Sequence, residues 1–424
     1  MKIAVIGAGL AGLTAAYWLR REGAEIAVFD AAPGPGQLTS ARNGSLQHAS
    51  HVEPWNSPGV LWQLLRSLGD EKAAVLLRPQ AVPSLLGWGL RFIRESNTQR
   101  YEANVHANLV LAQHSQRQMV AIRADVGMDY DQRDGGTLVT LRSVAAFDQA
   151  RRWADALRPH GLQHRVLDVA AAVALEPALA PVASQLAGCL HYPDDERGDP
   201  LKFCTGLAAH LAGQGVKLHF NTPVARIDSA GGKVCGVVDG HGQHHAFDTV
   251  VLSAASHSNA LAAPLGLDLP VRPVKGYSVT LPQRPQGPRM AGIDPALHVA
   301  VVPVGEDRVR VAGTAEFCGF DLQVRPQRLE NLMALLRQVY PAYAQTLSPQ
   351  DILPWTGLRP MCADGKCLIG PTRVPGLFLH TGHGQLGWTL TAGSGHVLAD
   401  LVLGRAPQID AAPFSPARFG LAQR

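Results

Sequence analysis

MKIAVIGAGLAGLTAAYWLRREGAEIAVFD, residues Met1–Asp30, carries the reading that decides the fold. Ile3 to Ile6 is a short apolar run. Three glycines follow at 7, 9 and 12, then helix-forming residues from Leu13 to Arg21, Gly23 as a stop, and a second apolar run from Ile26 to Phe29 that ends in Asp30. The pattern predicts strand, tight turn, helix, strand. In a dinucleotide-binding turn each glycine has a task. Gly7 permits the sharp turn, Gly9 lets a pyrophosphate approach the backbone, and Gly12 lets helix and strand pack closely. Leu10 and Ala11 complete the loop, so that free amides and positive partial charge at the helix start face the phosphates. Asp30 would take the ribose hydroxyls. The same glycines could serve a plain packing turn, but strand, helix, second strand and acid stand in the order the dinucleotide requires.

This motif does not separate NAD from FAD. A second glycine loop near the other end bears on that choice: a strand at Leu377 to Thr381 leads into Gly382, His383, Gly384 and Gly387, and a helix begins near Trp388. Amides and dipole there could face charge on the N1 and C2 carbonyl end of a reduced flavin. The alternative is an ordinary strand-to-helix turn.

The 424 residues imply two or three domains, and 46% hydrophobic with 17% charged residues is an ordinary globular composition. A net charge of +4, with Lys and Arg scattered singly, lacks the clustered stripe of a nucleic-acid binder. Six cysteines without CxxC spacing argue against a disulfide framework and for a reducing compartment. No apolar run is long enough to span a membrane. Met1 to Leu19 runs into Arg20, Arg21 and Glu22 without a cleavage site, so it reads as mature structure rather than a signal peptide.

Between the glycine loops, Pro33 to Gly59 reads as a long loop, and Val60 to Arg152 as helical, with amphipathic stretches at Trp62 to Leu68, Leu85 to Ile93 and Ala107 to Ala124 and no strand alternation. Asp199-Pro200 starts a helix to about Ala212. Short strands follow at 216–220, 224–227, 234–238, 249–252, 277–281, 298–302 and 308–312, then a helix at 329–340. Ser84 to Ile93 reads as a core helix or as an apolar patch for a membrane surface or a partner subunit. His241, His244 and His245 cluster without a carboxylate or cysteine at ligand spacing, so no metal site is expected.

Together, GAGLAG with Asp30, TSARNGS, KGYSVT at 275–280, WTGLRPMCADG at 355–365 and HTGHGQLGWTLTAGSG at 380–395 resemble the D-amino acid dehydrogenase branch of the flavin amino acid oxidase family, which also includes D-amino acid oxidase, glycine oxidase and sarcosine oxidase. The similarity runs from Met1 to about Arg405. It implies noncovalent FAD and oxidative deamination of D-amino acids to 2-oxo acids and ammonia by hydride transfer to flavin N5, with electrons passed to a quinone or another respiratory acceptor. A dehydrogenase or oxidase for a cyclic or N-substituted amino acid (D-hydroxyproline, D-proline, sarcosine, glycine) and a noncatalytic electron-relay subunit are the alternatives. The resemblance also implies a cytoplasmic protein, peripheral on the inner face of the membrane.

By the resemblance, Arg359 pairs with the substrate carboxylate, a task suited to a guanidinium fork; alone, it would read as a structural ion pair. Tyr277 lines the substrate pocket or is an inward strand aromatic. Thr39, Ser40, Asn43 and Gly44 pass the flavin and pyrophosphate, Ser45 and Leu46 face the ring, and the Val224 backbone meets the adenine. Gly382, His383, Gly384, Gln385, Leu386, Gly387, Trp388 and Thr389 form the C-terminal flavin loop, with His383 contributing backbone and not acting as a base. After the strand ending at Leu252 the family has an AxG turn against FAD. Here Ala254 and its neighbours replace it, which requires a turn of negative φ.

The expected architecture is therefore α/β: a doubly wound, Rossmann-type FAD domain from residues 1–60, 190–262 and 352–424, and a discontinuous α+β substrate domain with a mixed sheet from 61–189 and 263–351.

Overall fold

A computed structural model describes residues 1–60, 62, 69–71 and 73–422; apart from Trp62, the amphipathic stretch expected at 62–68 lies outside them. The opening residues form the strand Lys2–Ile6, the helix Leu10–Arg21 and the strand Glu25–Phe29. These strands sit inside a six-stranded sheet ordered Leu368–Pro371, Leu377–Thr381, Thr249–Leu252, Lys2–Ile6, Glu25–Phe29, Lys217–His219. All neighbours are parallel except the first pair. The inner strands are apolar and buried because both faces are covered, Ile3, Val5, Ile26 and Val28 by helices and Ala4, Ala27 and Val250 by Ile227, Val234 and Val237 of a small antiparallel sheet.

Three of those helices fix the geometry that matters for the site. Helix Leu10–Arg21 lies on the C-terminal helix Gly387–Val402, and Thr14 Oγ1 and Trp18 Nε1 donate to the carbonyls of Thr391 and Ala392 at 2.9 and 3.0 Å. A Cβ at Gly395 would stand 3.0 Å from the Thr14 backbone. On its other side, Gly393 packs on Ser115 of the long helix Thr98–Val126, which Asn97 caps by accepting from Arg100 N–H. Small residues thus hold the N-termini of the first and last helices side by side at the carboxyl ends of the parallel strands, where open α/β sheets bind ligands.

The second sheet has nine strands. Its main path runs Leu353–Cys362, Val271–Pro282, Arg308–Phe317, Val299–Val304, Ala291–Asp294, Thr137–Leu141, Gly188–Tyr192, Arg165–Leu167, and Val75–Leu77 pairs with Arg308–Phe317. Helix Pro326–Val339 covers one face through Leu332, Met333 and Leu336. The chain is thus a mixed α/β fold.

One sequence expectation needs correction. The helical reading of 60–152 missed the strands Val75–Leu77 and Thr137–Leu141. The boundary expected at 189/190 falls inside the strand Gly188–Tyr192, and the strand Leu353–Cys362, which begins just after the boundary expected at 351/352, hydrogen-bonds within the nine-stranded sheet.

Candidate active site

A cavity of about 760 Å³ opens between the sheets and runs from the start of the first helix to Arg359. Gly9, Leu10, Ala11, Thr39, Ser40, Asn43, Gly44 and Leu46 line one end, and Gly384, Gln385, Gly387 and Trp388 line the middle. At the first end, Gly7 has φ +111, and a Cβ there would lie 2.5 Å from the Ser253 carbonyl. A Cβ on Gly12 would collide with the Gly7 carbonyl. These two glycines are required by packing. Gly9 differs: its φ is −81 and the nearest atom to a Cβ is Ser40 Oγ at 3.1 Å. It keeps the space before the helix open. The helix start has no side-chain cap and no acid in its first turn, so its amides are left for an anion, with Ser40 Oγ accepting from Leu10 N–H at 3.2 Å.

Asp30 accepts from the amides of Ala8 and Ala32 at 2.6 and 2.8 Å. That ties the glycine loop to the second strand and leaves lone pairs on both oxygens for hydroxyl donors. Val224 begins the strand Val224–Ala230, just after Thr222, whose N–H donates to the Asp30 carbonyl at 2.8 Å. It stands at the Asp30 end, outside the cavity lining.

In the middle loop, Thr39 Oγ1 donates to the Leu358 carbonyl at 2.9 Å, and Asn43 Oδ1 accepts from Ser45 N–H at 2.9 Å. Buried Arg310 donates to the Asn43 carbonyl at 3.2 Å. Ser45 is buried at φ +59 and does not line the cavity, unlike Leu46 beside it. In the turn after Leu252, Ala254 keeps φ −79, but Ala255 is at φ +48 and lines the cavity. The negative-φ turn expected of this alanine-rich run is therefore absent: an L-residue occupies the left-handed region.

In the C-terminal loop, Gly382 and Gly384 take φ +80 and +56. The following helix again starts without a cap or an acid, so two positive helix ends open onto one cavity. Leu386 packs into the core and Thr389 Oγ1 accepts from His48 N–H at 3.2 Å, so neither lines the cavity. The rings of His380 and His383 approach Ser394 Oγ at 2.7 and 3.0 Å. Burial pushes His383 down to about 3 and His380 well below the usual range, so both stay neutral.

Arg359 stands in the edge strand Leu353–Cys362 and lines the cavity. Its guanidinium lies over the Trp55 ring, 5.6 Å from the centroid, and Nη1 donates to the Thr314 carbonyl at 3.3 Å. Among the described residues no carboxylate reaches it, and burial alone pushes it down to about 10. Two backbone features make room for it. Gly276 on the neighbouring strand has no side chain where the guanidinium rests, and a β-bulge inserts Thr314 at φ +55 opposite Gly276 and Tyr277, which aims that carbonyl. A desolvated, unpaired fork at a cavity wall can bind a carboxylate in two parallel hydrogen bonds.

Tyr277 lines the same cavity, but its phenol is committed elsewhere. Its ring faces helix Pro326–Val339 with Val279 and Leu281, and its hydroxyl donates to Glu316 Oε2 at 2.7 Å beside Lys275. Alternation along the strand sends Tyr277 to the face opposite Gly276 and Arg359. Tyr277 is thus both a lining residue of the cavity and an inward strand aromatic, with its hydroxyl engaged by Glu316. The histidine reading also changes: Asp228 and Cys235, from other strands, bring ligand atoms within 4.8 Å of one another and of His244, away from the cavity lining. His48, His51, Trp55, Gly276 and Thr314 were missed by motif reading, since each acts through a fold contact and not through a spacing.

The cavity suits FAD. Gly9, Gly44, Gly384 and Gly387 line it without side chains, one uncapped helix end meets each glycine loop, and Trp388 Nε1 is buried without a partner. The helix Leu10–Arg21 with Ser40 would hold the pyrophosphate, Asp30 the ribose, and the 382–388 loop the ring.

The family model described as FAD dependent oxidoreductase matches residues 2–401. A D-amino acid dehydrogenase of Rhodopseudomonas palustris is 38% identical over 421 residues, spanning 99% of this chain and 98% of its own length. One from Paramagnetospirillum magneticum is 40% identical over 411 residues, 96% of each. Among solved structures, glycine oxidase from Geobacillus kaustophilus superposes with a TM-score of 0.77 at 22% identity, covering 100% of this chain and 98% of that one. That likeness speaks to the fold.

Proposed function

The chain belongs to the FAD-dependent oxidoreductase family, and from that premise we propose that it oxidises D-amino acids to imino acids, which water hydrolyses to 2-oxo acids and ammonia. The observation that carries this reading is the Arg359 guanidinium, unpaired at the wall of the cavity shared by both glycine loops. An electron-relay protein has no use for a carboxylate fork there. Similarity to the dehydrogenases of R. palustris and P. magneticum supports the D-amino acid assignment.

Arg359 holds the carboxylate, and Trp55, Gly276 and the Thr314 carbonyl hold Arg359, so the α-carbon is fixed relative to the cavity axis. When bound, FAD supplies the acceptor for the α-hydrogen and its electron pair. The start of helix Gly387–Val402 favours negative charge at that end of the cavity. No side-chain base at the α-carbon is needed, provided the amine is neutral.

The acceptor we assign is a quinone or another respiratory carrier, with the protein bound peripherally at the membrane. Val82, Leu86, Leu90 and Ile93 are exposed on helix Val82–Glu95 next to Arg91 and Arg94, which supports docking on an anionic lipid surface. No helix of the described residues is long and apolar enough to cross a membrane. Cosedimentation with anionic vesicles, lost in Leu86→Glu/Leu90→Glu, would agree; equal cosedimentation would not.

Anaerobic mixing of the flavin-loaded chain with D-alanine, D-proline and L-alanine tests the reaction. Bleaching by D-alanine and not L-alanine is expected. Bleaching by D-proline alone would move the substrate to the cyclic class, and no bleaching by any of them would overturn the enzymatic reading.

A further inference from the structure

The segment from His48 to Trp55 crosses the cavity between its two functional ends. His48 N–H donates to Thr389 Oγ1 at 3.2 Å, the Glu53 carbonyl accepts from Gln385 Nε2 at 3.1 Å, and Trp55 ends under the Arg359 guanidinium. His51 lies between these fixed points and lines the cavity. Behind it, His51 Nδ1 is 2.9 Å from Ser50 Oγ, which is 2.5 Å from Asp195 Oδ2. Ser50 and Asp195 are 4% and 2% exposed, so water does not compete for these bonds. Among the described residues no cation pairs with Asp195.

A hydroxyl has one hydrogen to donate, so the row has two self-consistent polarities. With Asp195 ionised, Ser50 donates to Asp195, His51 Nδ1–H donates to Ser50, and Nε2 carries a lone pair on the cavity side. With Asp195 protonated, each bond reverses and Nε2 carries hydrogen. One proton converts the first state into the second. An N–H bond forms at Nε2 and the Nδ1–H bond breaks as a new O–H forms on Ser50. The original Ser50 O–H breaks as an O–H forms on Asp195. No electrons change hands between residues.

We propose that His51, Ser50 and Asp195 are a proton relay that carries the ammonium proton of the bound amino acid out of the cavity. The inference rests on the amino acid reading above. An amino acid meets Arg359 as a zwitterion, yet its nitrogen needs a free lone pair to form the C=N bond as the α-hydrogen leaves. Arg359, already a cation, cannot take that proton. Of the other groups facing the row, His48 leads nowhere, since its Nδ1 has no partner, and Glu53 is engaged by Trp153 Nε1 at 2.9 Å. Tyr192 stacks edge-on to His51 at 5.9 Å, His164 lies beyond it at 6.3 Å, and Thr137 faces Asp195. Burial raises Asp195 to about 7 and lowers His51 to about 4, so a relayed proton rests on Asp195.

The test uses the full chain loaded with FAD and labelled with 15N at histidine. As the pH falls through about 7, His51 Nε2 should change from the lone-pair to the N–H form in the wild type and not in Asp195→Asn. In anaerobic mixing with D-alanine, Ser50→Ala and Asp195→Asn should bleach the flavin about 10²-fold more slowly at neutral pH and recover at alkaline pH, where the free amine is already neutral. Ser50→Thr should restore the neutral-pH rate, and affinity for an unreactive carboxylate should not change. A wild-type rate in Ser50→Ala at neutral pH, or a missing Nε2 change, would overturn the relay. A rate loss equal at every pH, with a lowered Tm, would replace it with a structural staple. If the Nε2 change appears but no amino acid bleaches the wild-type flavin, the substrate reading fails and the relay loses its cargo.

Discussion

Gly276→Ala perturbs Arg359 without touching it. The added Cβ would stand 2.5 Å from Cζ, 2.6 Å from Nη2 and 2.8 Å from Nη1 of the guanidinium. Carbon does not approach that closely, and the far end of a long side chain yields before a strand does. The guanidinium should leave the Trp55 face and the Thr314 carbonyl, and one of its two hydrogen bonds to the substrate carboxylate should be lost. A hydrogen bond to a charged group is worth about 1.5–3 kcal/mol, so KM for D-alanine should rise roughly 10- to 150-fold. The flavin end of the cavity is untouched, so visible flavin absorbance should remain. Steady-state kinetics with flavin content and Tm on the same preparation make the assay. Unchanged KM with full flavin would show that the guanidinium does not hold the substrate.

The other predictions address the glycine loops, the strained turn and the buried histidines. Gly9→Leu should fold but lose FAD, because space opens beyond Gly9 apart from Ser40, whereas Gly12→Ala should misfold against the Gly7 carbonyl; flavin absorbance and Tm separate the two. Ala255→Gly should raise stability by about 1 kcal/mol by releasing a left-handed alanine, as read by denaturant unfolding. His380 and His383 are held neutral by burial, so their folded pKa values lie below the unfolded value near 6.5. Stability from them is full above about 6.5 and falls as pH drops below it, by about 1.4 kcal/mol per pH unit for each histidine. His383→Gln should flatten the slope of unfolding free energy against pH.

The opening thirty residues were legible because local rules agree there: apolar run, glycine spacing and terminal acid all describe one unit. The same held for Asp199-Pro200, whose carboxylate accepts from Leu201 and Lys202 N–H as the cap requires. Strand Leu353–Cys362 was not legible, since Pro354, Gly357 and Pro360 look like breakers. It is the edge of its sheet, where proline is tolerated. Thr137–Leu141 was hidden among helices because a short, fully buried strand has no alternation to read. Arg359 was found through a motif, but the side to which Tyr277 points depends on register, and Ser50 meets Asp195 across 145 positions. No spacing rule reaches that far.

The central claim is that an unpaired guanidinium anchors an α-amino acid beside the flavin, and single-turnover flavin reduction in Arg359→Ala tests it most directly. The variant should stay yellow yet fail to bleach with D-alanine at concentrations that reduce the wild type at once. Equal bleaching at equal substrate concentration would contradict the account.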